Sequence, residues 1–152
     1  RKIVEIGIAG LAAQRITDEE LAELEAGLAK SQETLHHPSE FLRADEQLHK
    51  TVTQAARNPI MSRVIDSISR LLMVSRSRTV EIAGVRERTV EDHRAIVAAL
   101  KKRDPEAAQQ AMLQHLNNVE QGLLDAQPFA AEAKGQVQEP KAPIENLEVG
   151  ST

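Results

Sequence analysis

Asp45 and His49 stand four residues apart in the stretch Phe41–Val52. If that stretch is helical, the two side chains share one face, about 6 Å apart at their origins. The face is an apolar one. Phe41, Leu42, Leu48, Val52 and Ala56 follow the i, i+3, i+4, i+7 spacing of a buried stripe, with Asp45 and His49 within or beside it. A buried polar atom left unpaired costs about 1–3 kcal/mol, so both side chains need partners from elsewhere in the chain. Two later histidines answer that need. His93 lies one turn before Ile96 and Val97, and His115 lies between Met112 and Val119, each on the inward stripe of its own segment. The remaining pair, His36 and His37, precedes Pro38 in a loop.

A lone inward histidine is most simply a core residue satisfied by a backbone carbonyl. Three of them, with an aspartate one turn away, make a shared partner more economical, and the natural shared partner is a divalent cation. Three neutral imidazoles and one carboxylate suit Zn, Ni, Mn, Co or Fe, and the donor set does not choose among them. Four protein ligands leave one or two positions of a five- or six-coordinate ion for water or for the carboxylate of a small molecule. Other metal chemistries fit less well. Glu46-Gln47-Leu48-His49 is a single Glu-x-x-His where di-iron bundles need two, and Glu46 is placed away from the face of Asp45 and His49. No His-Glu-x-x-His, phosphate-cradling glycine loop, serine-nucleophile turn or cysteine is present.

Composition narrows the setting. The 152 residues suit one domain, and a core with two Phe, no Tyr and no Trp suits helix packing better than a sheet. A formal net charge of −4 and the lack of aromatic stacking platforms make this chain by itself a poor nucleic-acid binder. Without cysteine there is no disulfide or thiolate chemistry, and a cytoplasmic location is expected. No run of 18 apolar residues spans a membrane. The opening Arg-Lys-Ile-Val-Glu-Ile already reads as helical and lacks an initiator Met, which suggests a fragment of a longer protein.

Six helices must position these groups. The first covers residues 1–15 with Ile3, Ile6, Leu11 and Ala12 or Ala13 inward, and Gly7 and Gly10 allowing a neighbour to approach closely. Thr17-Asp18-Glu19-Glu20 is a capping box opening the second. Ser39 is expected to cap the third, and Asn58-Pro59 to open the fourth, which carries Ile60, Val64, Ile65, Ile68, Leu71 and Leu72 to about Val80. Its arginines, Arg70, Arg76 and Arg78, read as mainly solvated; Arg76 and Arg78 fall on different faces, so at most one of them could line a pocket. Thr89 is expected to cap the fifth helix and Asp104-Pro105 the sixth, which runs through Leu123. The implied fold is an all-α antiparallel bundle of about six helices over residues 1–127, followed by an irregular, flexible tail over 128–152.

Several of these stretches together resemble the C-terminal effector-binding (FCD) domain of FadR-type regulators in the GntR family. Ala12-Ala13-Gln14-Arg15-Ile16-Thr17 resembles its first-helix ending, Asp45-Glu46-Gln47-Leu48-His49 its Asp-x-x-x-His, and Ala55-Ala56-Arg57-Asn58-Pro59 its turn. Asp92-His93-Arg94-Ala95-Ile96 is similar to its Glu-His-Arg-x-Ile, with Asp92 in place of Glu, and Ala111-Met112-Leu113-Gln114-His115-Leu116 to its Ala-Met-x-x-His-Leu. The resemblance covers roughly residues 1–124. It implies that Asp45, His49, His93 and His115 are metal ligands, and that a small carboxylate effector binds above the ion. Arg1-Lys2-Ile3-Val4-Glu5 resembles an Arg-x-x-Leu-Glu pattern, which makes Arg1 a candidate effector clamp.

The expected function is therefore effector sensing rather than catalysis. A divalent metal and an organic acid would modulate DNA binding by an absent N-terminal winged helix-turn-helix domain. The regulator would be a cytoplasmic homodimer, with Leu71-Leu72-Met73-Val74 one possible dimer region. A metal-dependent hydrolase or lyase is the alternative reading. A plain interaction bundle with structural histidines is the third, and it predicts indifference to chelators.

Overall fold

The computed structural model describes residues 1–125. Among them lie six helices: α1 (Lys2–Arg15), α2 (Asp18–Glu33), α3 (Pro38–Ala55), α4 (Pro59–Thr79), α5 (Val85–Lys101) and α6 (Pro105–Asp125). No strand occurs among the described residues, so the expected all-α architecture is the observed one. The expected tail at 128–152 lies outside them. None of the described helices is long and apolar enough to cross a membrane.

Local signals account for most helix starts. Thr17 Oγ1 accepts from the Glu20 amide at 3.2 Å while the Glu20 carboxylate accepts from the Thr17 amide at 3.0 Å, a complete capping box. Asn58 Oδ1 accepts from the amides of Ile60 and Met61, and Asp104 Oδ1 from that of Ala107; a proline follows each cap. Two starts differ from expectation. α3 begins at Pro38, so Ser39 is already inside it, and His37 occupies the cap position without a side-chain bond. α5 begins four residues before Thr89, because Gly84 at φ +76° turns the chain sharply after α4. Arg86 then secures this corner by donating to the carbonyls of Leu35 and Val80.

α1 is the central rod, packed on α3, α5 and α6, while α2 bridges α3 and α5. Its inward face is Glu5, Ile8, Ala9, Ala12 and Ala13, all buried. Ile3, expected inward, is 91% exposed. The segment is apolar nearly all round, so spacing alone could not choose its face, and the alanines won because they let α1 and α6 approach closely. A Cβ at Gly10 would lie 2.5 Å from the Gln109 amide nitrogen of α6. Arginines tie the helix ends together: Arg15 donates to the Ala56 carbonyl, and Arg103 to the Ile16 carbonyl and to Asp18.

α4 divides its apolar residues between two faces. Leu72 is buried and Ile65 packs against the core, yet Ile60 is 74% exposed, Leu71 73%, and Val64 and Val74 are exposed too. Sequence steps of four, seven and three place those four residues in one line along the helix.

Candidate metal and effector site

The structure brings His49 of α3, His93 of α5 and His115 of α6 into one cluster. Their ring centroids are 5.4, 5.3 and 4.8 Å apart, and one ring nitrogen from each can be chosen so that all three lie within 4.8 Å. All three rings are buried. Asp45, one turn before His49, places Oδ1 3.5 Å from His93 Nε2 and 4.0 Å from His49 Nε2. Each group is inward for the same reason as its apolar neighbours: Phe41, Leu48 and Val52 on α3, Ile96 and Val97 on α5, Met112, Leu116 and Val119 on α6.

The cluster leaves its donor atoms unsatisfied. His49 Nε2 and both ring nitrogens of His93 and of His115 are buried without a hydrogen-bond partner among the described residues, while Asp45 Oδ2 and Arg76 Nε, which also make no hydrogen bond, face each other as an ion pair at 3.2 Å. Buried polar atoms in native proteins are almost always paired, and each orphan costs about 1–3 kcal/mol. Lone pairs from three imidazoles and a carboxylate, converging in a site closed to solvent, fit a divalent cation in number and chemistry.

Two further residues, Glu5 and Arg76, complete the site, and spacing alone had singled out neither. Glu5, 4% exposed, places Oε2 2.9 Å from His49 Nδ1 and accepts its proton. Glu5, Ile8, Ala9 and Ala12 form one i, i+3, i+4, i+7 stripe, one of several that the apolar residues of α1 allow. Arg76, read as solvated, is 8% exposed, with Nε 3.2 Å from Asp45 Oδ2 and Nη2 3.7 Å from Glu5 Oε2. The carboxylates of Asp45 and Glu5 draw it inward; Arg70 and Arg78 are exposed as expected. Arg1 turns to Glu5, donating from Nε to Oε1 at 2.6 Å. Glu5 and Asp45 thus meet Arg1 and Arg76, and the formal charges cancel.

Burial pushes the Glu5 carboxyl up, but His49, Arg1 and Arg76 together outweigh it and hold the group well below the usual carboxylate range. For His49, burial comes first and Arg76 adds to it; against the pull of Glu5 and Asp45 its pKa falls to about 4. His93 is pushed well below its ordinary value by burial and by the two neighbouring histidines. At neutral pH His49 therefore donates Nδ1–H to Glu5 and turns the Nε2 lone pair toward Asp45.

Metal-free protein should consequently lose stability in acid. An unfolded His49 takes up a proton as pH falls past 6.5, whereas the folded one resists until about 4. Stability is complete above that window and is lost through it, by about 3 kcal/mol for this group alone. The lowered Glu5 acts in the same direction at lower pH. Urea melts of metal-free protein at pH 7.5, 6 and 5 check this, and a flat series would refute it.

Beside the cluster lies a cavity of about 340 Å³, near the lower end of small-molecule sites. Glu5, His49, Lys50, Ile65, Leu72 and Arg76 contribute to its wall. Arg1 is not among the lining residues; the arginine on the wall is Arg76. Exposed Glu46 lines the cavity despite being off the Asp45–His49 face.

Comparison with known proteins places this arrangement. Residues 1–118 match the FCD domain family. The chain is 33% identical over 127 residues to the HTH-type transcriptional regulator YcbG of Bacillus subtilis, covering 82% of this chain and 52% of that protein. It is 32% identical to the galactonate operon transcriptional repressor of Escherichia coli (74% and 50% covered). It is 29% identical to the transcriptional repressor NanR of Cronobacter sakazakii (78% and 46% covered). The chain thus spans about half the length of these curated relatives. The solved structure of E. coli McbR/YncC shares the fold, with a TM-score of 0.69 at 21% identity, covering 82% of this chain and 63% of that one. These relatives are regulators, and the hydrolase or lyase reading has no support among them. The chain belongs to the FCD domain family, the effector-sensing domains of GntR-type transcriptional regulators.

Proposed function

We propose that this domain holds a divalent transition metal through Asp45, His49, His93 and His115 and senses a small organic acid beside it. The observation carrying the reading is the set of orphaned, convergent nitrogens from three separate helices. When bound, the ion would neutralise Asp45 and offer open positions to a carboxylate. The charges on the wall support an anionic effector: Arg76 borders the cavity, and a divalent ion at the histidine cluster would add positive charge beside it. Arg76, on the cavity wall, anchors the acid with the fork geometry that carboxylates favour. Arg1 assists from behind by holding Glu5. The test is mass spectrometry of metal and organic acid co-purifying with the protein, followed by calorimetric titration of candidate acids with and without metal. A protein that binds organic acids equally well after chelation would contradict the reading.

In the whole protein, DNA binding falls to a winged helix-turn-helix domain preceding this one, in a cytoplasmic homodimer. The exposed line of Ile60, Val64, Leu71 and Val74 on α4 supports self-association, and it divides the expected Leu71–Val74 region. Leu71 and Val74 face outward, Leu72 is buried, and Met73 borders the cavity. Leu71→Glu should convert dimer to monomer in sedimentation velocity and leave metal content intact. An unchanged sedimentation coefficient would place the interface elsewhere.

A further inference from the structure

We propose that Asp92 is the positioning residue for His115, fixing which of its ring nitrogens is free to bind. The inference deepens the metal reading and relies on it for the affinity consequence alone. Asp92 Oδ2 lies 3.5 Å from His115 Nδ1 across the α5–α6 contact. Its carboxylate is held in place from α6: Asn118 Nδ2 donates to Asp92 Oδ1 at 2.8 Å and to Oδ2 at 3.0 Å. Gln114 Nε2 donates to Asn118 Oδ1 at 2.9 Å, which keeps the Asn118 nitrogen turned toward Asp92. Three side chains therefore fix an acceptor beside Nδ1 before any ligand arrives.

The consequence follows from imidazole chemistry. A neutral ring whose Nδ1–H faces a carboxylate carries its lone pair on Nε2, and the carboxylate raises the basicity of that lone pair. His49 has the same arrangement, with Nδ1 2.9 Å from Glu5. Two of the three histidines are thus backed by carboxylates from α1 and α5. His93 differs in which nitrogen meets a carboxylate: its Nε2 faces Asp45 at 3.5 Å, whereas His49 and His115 each turn Nδ1 to one, His115 at a 3.5 Å separation that is not yet a hydrogen bond. Asp92 closes the α6 side of the cluster as Glu5 closes the α3 side. A carboxylate beside His93 in sequence thereby serves the histidine of the next helix.

The experiment uses the whole chain, labelled with ¹⁵N and stripped of metal. Long-range ¹⁵N–¹H correlation at pH 7.5 should show His115 with its proton on Nδ1, and Asp92→Ala should shift that proton toward Nε2. Zn affinity by chelator competition should fall about 10–100-fold in Asp92→Ala. Asp92→Glu should stay within about threefold of the parent and keep the Nδ1–H tautomer. Asn118→Ala, which retains the carboxylate but releases it, should give an intermediate loss and serves if Asp92→Ala does not fold. His115 keeping Nδ1–H in Asp92→Ala would overturn the proposal, as would Zn affinity unchanged in Asp92→Ala and Asn118→Ala. A parent protein that takes up no Zn but shows the tautomer change would refute the metal reading while upholding the positioning role.

Discussion

Chelator-stripped protein is expected to gain about 4 kcal/mol of stability when a site-matched divalent ion is supplied at a thousand times its dissociation constant. For a domain of this size that is a rise of roughly 10–15 °C in melting temperature. The gain has a structural source. His49 Nε2 and the ring nitrogens of His93 and His115 have no hydrogen-bond partner among the described residues, at a cost that a cation would remove. His93→Ala and His115→Ala each remove a donor from a different helix. They should abolish most of the metal-induced shift, whatever they do to the baseline. Comparing each variant with and without ion cancels the packing lost on truncating a buried ring. Calorimetric melts with Zn, Ni, Mn, Co and Fe in turn would also rank the metals, which the donor set does not. If the parent protein melts at one temperature throughout, the histidines are structural and the plain-bundle reading stands.

The second large effect belongs to Arg76. It stands against two buried carboxylates, 3.2 Å from Asp45 and 3.7 Å from Glu5, in a site nearly closed to solvent. Removing one partner of such a buried network typically costs about 3–5 kcal/mol, because the charges left behind lose their compensation. Arg76→Met keeps the length and apolar stem of the side chain and deletes the guanidinium. It should destabilise the metal-free protein by that amount, as read from urea midpoints. Metal should restore a larger share of stability here than in the parent, since the ion replaces the missing positive charge. Affinity for an organic acid should drop about 10–100-fold, the worth of a charge-assisted pair of hydrogen bonds, with Arg76→Lys in between. Retention of full acid affinity in Arg76→Met would move the anchor elsewhere, with Lys50 the next basic group on the wall.

What was legible in the sequence followed from how far each signal reaches. Asp45 and His49 declare each other because one helical turn separates them, and His93 and His115 are marked by the strongly apolar faces on which they sit. Their meeting in space follows from helices packing by those same faces. Glu5 was harder, because the apolar residues of α1 surround the helix and conceal which side a carboxylate occupies. Arg76 was harder still: its inward turn depends on Asp45 and Glu5, which lie on two other helices. The division of α4 was not legible, because an apolar stripe looks the same whether it faces a core or another surface. Gly84 shows the same limit on a smaller scale, as a left-handed turn moved the start of α5 without disturbing its inward face.

α4 has one consequence that neither of its faces shows alone. Ile65, Leu72, Met73 and Arg76 border the cavity, while Ile60, Val64, Leu71 and Val74 point to solvent from the same 21-residue rod. An acid that drew Arg76 toward itself and carried α4 with it would also displace the outer line. If α4 couples them, whatever seats on that line and whatever enters the cavity would change each other's affinity by the same factor. The apparent strength of acid binding should then depend on protein concentration. A titration repeated at two dilutions would measure how strongly inside and outside are coupled.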